Sequence, residues 1–167
     1  MERIGELAYN PVREHIRMSF ERVKEEAQQV ETVVRSLRDK TFDSSVSRVL
    51  IFVRTRRRAE EAVQQLSELA TEAGLSWAEQ IDYFHAGMDG FDRERKYAAY
   101  QTGEAVILVA TKAFGMGMDI KNIHYVYHLG PSSAFEDFLQ EVGRAGRNRA
   151  SLEAAGFSDA HPIQPCV

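Results

Sequence analysis

Gln140-Glu141-Val142-Gly143-Arg144-Ala145-Gly146-Arg147 is the most specific chemical signal in the chain, with two arginines separated only by small residues. Guanidinium groups at that spacing near a helix end point the same way and stay charged. They suit the spread negative charge of a transferring phosphoryl group; a solvated pair of surface arginines is the competing reading. A second signal is Thr111-Lys112-Ala113-Phe114-Gly115-Met116-Gly117-Met118-Asp119. Gly115 and Gly117 allow tight backbone approach, and Asp119 can accept from sugar hydroxyls. The stretch fails as a dinucleotide fingerprint, because Ile120 stands where a third glycine is required. The chain holds no Gly-Lys dipeptide and no Asp-Glu dipeptide. A complete phosphate loop and the usual metal-and-water carboxylate pair are therefore missing, so this chain supplies neither the phosphate cradle nor the magnesium ligands.

Other chemistries find little support. His124 and His128 are four apart on a strand, roughly 13 Å of rise, too far to share one metal. They read as packing or hydrogen-bonding residues, and Trp77 as a loop residue covering core. There is no serine elbow and no HExxH pair. The single cysteine, Cys166, excludes a disulfide framework and any multi-cysteine zinc site. No metal ligands are assigned.

Charge is unevenly spread. The net charge is −4, from 21 basic and 25 acidic residues. Yet between Asp43 and Glu60 there is no acid, but Arg48, Arg54, Arg56, Arg57 and Arg58. Between Glu141 and Glu153 there is again no acid, with Arg144, Arg147 and Arg149. Such arginine-only windows in an acidic chain either focus an anion locally or are solvated faces.

The elements that must position these residues follow from hydrophobic periodicity. With 167 residues, 44% hydrophobic and 28% charged, the chain has the size and balance of one globular domain, not a disordered, coiled-coil or collagenous one. Ile16, Met18 and Phe20 alternate as in an edge or half-buried strand. Ala27, Val30, Val33, Val34 and Leu37 form one helical stripe over about 24–40. Val49 to Val53 is a continuous apolar run, expected of a strand buried on both faces. Ala59, Ala62, Val63, Leu66, Leu69 and Ala70 mark the next helix, with Gly74 at its C-terminal cap. A short strand at Ile81–Phe84 precedes a helix from Phe91 to Tyr100, ended by Gly103. Strands then follow at Ala105–Ala110 and Ile123–Leu129. Ser133 with Glu136 forms a capping box for a helix to about Val142. This alternation predicts an α/β fold, three layers with a mainly parallel central sheet flanked by helices. Residues 1–11 read as a tail or interdomain linker and 12–149 as the domain. Residues 150–167, which lose periodicity, read as an insertion or the truncated start of a next element. No run approaches a membrane span and the N-terminus lacks a signal-peptide core, so a reducing cytoplasm, with no membrane partner, is the expected location.

In open α/β sheets ligands bind at the carboxyl ends of the strands. Arg54-Thr55-Arg56 follow the first buried strand, His85-Ala86-Gly87 the second, and Thr111-Lys112 the third. Three strand ends carrying small, cationic or hydroxylic residues point to one shared ligand edge.

These residues also carry a family resemblance. ILVATKAFGMGMDIKNIHYVYHLGPSSAFEDFLQEVGRAGR resembles motifs V and VI of superfamily-two helicases, and AFGMGMD and QEVGRAGR look most like the RecQ family. RVLIFVRTRRRAEEAVQQL is similar to motif IV, and YFHAGM to the His-Ala-Gly element that follows it; the similarity spans roughly residues 12 to 149. It implies the second RecA-like domain of an ATP-driven DNA helicase. Gln140, Arg144 and Arg147 would then face the γ-phosphate, the arginines as fingers, with Gly117 and Asp119 at the ribose or coupling the two domains. Arg54, Thr55, Thr111, Lys112 and the backbone of His85, Ala86 and Gly87 would lie along the phosphates of one strand. The implied cofactors are ATP and Mg2+, held mainly by a first RecA-like domain that this chain lacks. The implied partners are that domain and single-stranded or partly unwound DNA. Two other readings stay open, the second domain of a DEAD-box RNA helicase and an inactive RecA-like binding module.

Overall fold

Val49-Leu50-Ile51-Phe52-Val53 is apolar at every position because each face of that strand is covered by a different helix layer. The chain is seen here as a computed structural model that describes residues 3–6, 16–21, 23, 25–40, 47–112, 114, 123–130 and 152–157 (backbone alone at 3–6, 16–21 and 152–157). Its elements are β1 (Arg3–Glu6), β2 (Ile16–Glu21), α1 (Glu26–Leu37), β3 (Arg48–Val53), α2 (Arg56–Glu72), β4 (Ile81–Phe84), α3 (Gly90–Thr102), β5 (Ile107–Ala110), β6 (Ile123–Leu129) and β7 (Leu152–Phe157). The strands form one seven-stranded sheet in the order β1-β2-β7-β6-β3-β5-β4. The β1–β2 pair is antiparallel and the other described pairs are parallel. This is the expected α/β layering with a mainly parallel sheet.

The core divides along the strand pleat. Val49, Ile51 and Val53 face the side of α1 and α2, joining Val30, Val33, Leu37, Ala62, Leu66 and Trp77. Leu50 and Phe52 face the other side with Leu108, Phe84, Phe114 and Tyr100 of α3. The helices fall on opposite faces because the chain reverses direction across the sheet. From β3 it runs outward over β5 to edge strand β4, then steps back to β5, and right-handed crossovers put α2 and α3 on opposite sides.

Both helices end as their glycines predict, with Gly74 at φ 65° and Gly103 at φ 87°, a region other residues enter only with strain. Tyr100 locks α3 to the sheet: its hydroxyl donates to the Val49 carbonyl at 2.9 Å. Burial pushes that phenol well above the ordinary tyrosine range.

Two features sharpen the sequence reading. The Ile16–Phe20 segment is not an edge, since β2 has β1 on one side and β7 on the other. The aperiodic stretch after Ala150 holds β7, which inserts between β2 and β6 in parallel register, with Glu153 opposite both Arg17 and Tyr125. The helix expected from Ser133 lies outside the described residues.

Candidate nucleic-acid interface

Strands β3, β5 and β4 are consecutive in the sheet, parallel, and in step at their carboxyl ends, with Phe52 opposite Ala110 and Ala110 opposite Phe84. The segments that leave them, Arg54-Thr55, Thr111-Lys112 and His85-Ala86-Gly87, therefore emerge along one edge. Neighbouring strands lie about 4.8 Å apart, so the three exits span roughly 10 Å.

At the end of β3, Thr55 caps α2. Its backbone is extended and its hydroxyl oxygen accepts from the Arg58 N–H at 3.1 Å. The hydroxyl proton stays available to a second acceptor. The arginine-only window splits here into different jobs. Arg48 is buried in β3 and donates from Nε to the Tyr100 carbonyl at 2.5 Å and from Nη2 to the Gln101 carbonyl at 2.6 Å. Arg58 is buried on α2 and donates to Gln65 Oε1 and to the Glu26 carbonyl. Arg57 is exposed but pairs with Glu61 one turn along at 2.6 Å. Arg54 and Arg56 are the two exposed arginines of this window that have no partner among the described residues. The window thus does not act as one patch: Arg48 and Arg58 are buried, Arg57 is paired at the surface, and Arg54 and Arg56 are left to face an anion.

At the end of β4, His85 is only 6% exposed. Its Nδ1 accepts from the Gly87 N–H at 3.2 Å, which puts the proton of the neutral ring on Nε2, and Nε2 donates to Glu60 Oε1 at 2.9 Å. The ring also stacks on Tyr83, with centroids 5.4 Å apart. His85 therefore holds the turn in shape, while Ala86 and Gly87 are exposed beyond it. Gly87 has a specific reason to be glycine. A Cβ there would sit 2.7 Å from Arg56 Nη1 and 2.9 Å from Arg56 Cδ. The Arg56 side chain thus lies across the Gly87 backbone, bridging the ends of β3 and β4.

At the end of β5, the Thr111 N–H donates to the Phe84 carbonyl at 3.2 Å, and the Thr111 carbonyl accepts from Phe114 N–H at 2.9 Å. Thr111 is buried and Lys112 exposed. Phe114 anchors the start of the glycine-rich stretch by packing edge-on against Phe84 at 5.1 Å and Tyr100 at 6.0 Å. Gly117, Asp119, Gln140, Arg144 and Arg147 lie outside the described residues.

The described edge thus brings together Arg54, Thr55, His85, Ala86, Gly87, Thr111 and Lys112. It adds Arg56, which the sequence marked only as one charge in a window, and Glu60, which fixes His85. Glu60 carried no signal in the sequence, because it meets His85, 25 residues away, only once the fold brings α2 beside the end of β4. His128 is packing, as expected: it stacks on Phe52 with centroids 5.1 Å apart, and burial lowers its pKa from 6.5 to about 4. Among the described residues no group of three or more His, Cys, Asp or Glu side chains is placed to hold a metal. An edge of cations, backbone amides and hydroxyls, with Glu60 engaged by His85, suits the phosphates of an extended strand.

Comparison with known proteins gives the family and the fold. The helicase conserved C-terminal domain family matches residues 28–149. Human ATP-dependent DNA helicase Q4 is 32% identical over 145 residues, covering 83% of this chain and 11% of that protein. Haemophilus influenzae ATP-dependent DNA helicase RecQ is 37% identical over 95 residues, covering 57% of this chain and 15% of that protein. The chain therefore spans well under a fifth of the length of these relatives. In fold, it resembles the DUF1998 helicase MrfA bound to DNA, with a TM-score of 0.71 at 19% identity over 89% of this chain and 20% of that one. It also resembles the Escherichia coli DEAD-box protein SrmB bound to RraA, with a TM-score of 0.66 at 22% identity over 83% of this chain and 75% of that one.

Proposed function

Since the chain belongs to the helicase conserved C-terminal domain family, among superfamily-two helicases and similar to RecQ, we propose that it is the second RecA-like motor domain of an ATP-dependent, RecQ-like DNA helicase. The observation that carries this reading is the convergence of Arg54, Arg56, the Gly87 backbone and Thr111 on one sheet edge, in a chain whose sequence also carries AFGMGMD and QEVGRAGR. That edge tracks the phosphates of one DNA strand and positions it without reading its sequence. The DNA helicase names of the human and bacterial relatives favour DNA over RNA as the partner.

ATP and Mg2+ would be held mainly by the first RecA-like domain, in the reducing cytoplasm. Gln140, Arg144 and Arg147 would hold the γ-phosphate, the arginines neutralising its charge, and Gly117 and Asp119 would meet the ribose or couple the two domains. The chain's residues fit that part and no larger one, because the Gly-Lys cradle and the Asp-Glu pair are missing from it. Domain closure brings the guanidinium groups to charge that develops in the transition state, so they lower the barrier more than they strengthen binding.

The test is DNA-stimulated ATP hydrolysis by the longer protein that carries this chain. Arg144→Ala or Arg147→Ala is expected to lower turnover by about 10³–10⁵. Folding stability should change by less than about 0.5 kcal/mol, as for surface positions generally. Near-normal turnover in a well-folded variant overturns the finger assignment.

A further inference from the structure

Among the described residues one large hydrophobic side chain stands out in solvent: Phe91, 76% exposed. A lone exposed aromatic is ordinary on a protein surface; its position is what matters here. Phe91 is the second residue of α3, and α3 starts directly after the His85–Asp89 turn at the carboxyl end of β4. That turn is tightly fixed. Gly87 N–H donates to His85 Nδ1 at 3.2 Å, Met88 N–H donates to the His85 carbonyl at 3.3 Å, and Asp89 caps α3 by accepting from the Asp92 N–H at 2.8 Å. Phe91 is four residues from Gly87, so their Cα atoms are at most roughly 14 Å apart. The ring is thus carried on a rigid turn beside the place where Arg56 crosses the Gly87 backbone. Charge next to the ring is mixed, with Arg93 in the same helical turn as Asp89, Asp92 and Glu94, and the cation nearest on the edge is the Arg56 that lies against Gly87.

We propose that Phe91 is a stacking platform for a nucleobase of the single strand whose phosphates run along Arg54, Arg56 and Gly87. The inference rests on the strand-contact reading above and adds a base contact to it. Cationic grooves that track a backbone, with an aromatic face beside them, are how single strands are held without sequence preference. Every base has a π-face, so stacking on Phe91 is sequence-tolerant.

The experiment compares binding of the 167-residue chain to a labelled oligo-dT and to an abasic strand of the same length, by fluorescence anisotropy at fixed salt. The two strands share every phosphate and differ only in bases. The wild-type chain should prefer oligo-dT by about tenfold, the size of one stacked base. Phe91→Ala and Phe91→Leu should erase that preference by weakening oligo-dT alone, and Phe91→Tyr should retain it; Leu tests whether apolar bulk without a π-face suffices. Equal wild-type affinity for the two strands overturns the stacking assignment and leaves the phosphate edge standing. So does a Phe91→Ala chain that binds both as the wild type does, which would assign the ring to a protein partner. Absence of wild-type binding to either strand overturns the strand-contact reading and this inference with it.

Discussion

Gly87 and Arg56 show how one missing methyl group can matter to function more than to folding. Gly87 does not need glycine's backbone freedom, since its φ is not among the positive ones; what it needs is room for the Arg56 side chain. Gly87→Ala should therefore leave thermal stability within about 0.5 kcal/mol of wild type, because the displaced group is the far end of a flexible arginine. It should still move the Arg56 guanidinium off the edge. Single-strand binding should weaken, and its salt dependence should flatten by about 0.7 in log–log slope, the share of one phosphate. Anisotropy titrations at several salt concentrations check this; an unchanged slope would mean Arg56 does not touch the strand. At this scale the sequence was legible in part. Arg58 could have been recognised as buried, because it lies one helical turn before Ala62, Leu66 and Ala70 on the stripe that faces the core. Arg48 could not, because the carbonyls it meets at the α3 C-terminus are brought over β3 by the fold.

Elements with a strong local pattern were legible, and those made by their neighbours were not. Strand β3, apolar throughout, and helices α2 and α3, closed by Gly74 and Gly103, are dictated by residues within each segment. Strand β7 reads Leu-Glu-Ala-Ala-Gly-Phe, with no β-branched residue and no alternation. It is a strand because β2 and β6 each offer a ladder to it, a tertiary effect that outweighs local preference. Within the central strands, His128 on β6 gives a pH prediction. Its folded pKa, about 4, lies below its ordinary 6.5, so the unfolded chain takes up a proton that the folded chain refuses. The contribution is fully present above about 6.5 and is lost as pH falls towards 4, with a slope of roughly 1.4 kcal/mol per pH unit in that window. Denaturation midpoints between those pH values should fall for the wild type and flatten for His128→Asn relative to it. Parallel pH profiles would show that His128 does not set the acid sensitivity.

For the molecule as a whole, one sheet edge collects what several motifs contribute, and the Gly-Lys and Asp-Glu pieces of nucleotide hydrolysis are absent from the sequence. The isolated chain should accordingly fold and show no ATP turnover above a no-protein blank in a phosphate-release assay. Turnover surviving removal of contaminating ATPases would contradict its assignment as a second motor domain. The family resemblance was legible because AFGMGMD and QEVGRAGR are contiguous; the edge's finer wiring was not, because Arg56, Glu60 and His85 meet only after β3 and β4 are placed two strands apart. The most direct measurement is the salt dependence of single-strand binding by the chain and by Arg54→Ala and Arg56→Ala. A phosphate-tracking edge predicts affinity that falls steeply with salt, by a log–log slope of about 0.7 per phosphate neutralised, with each arginine removed lowering that slope by about the same amount. Salt-independent or strongly sequence-selective binding, or slopes that neither substitution alters, would contradict it.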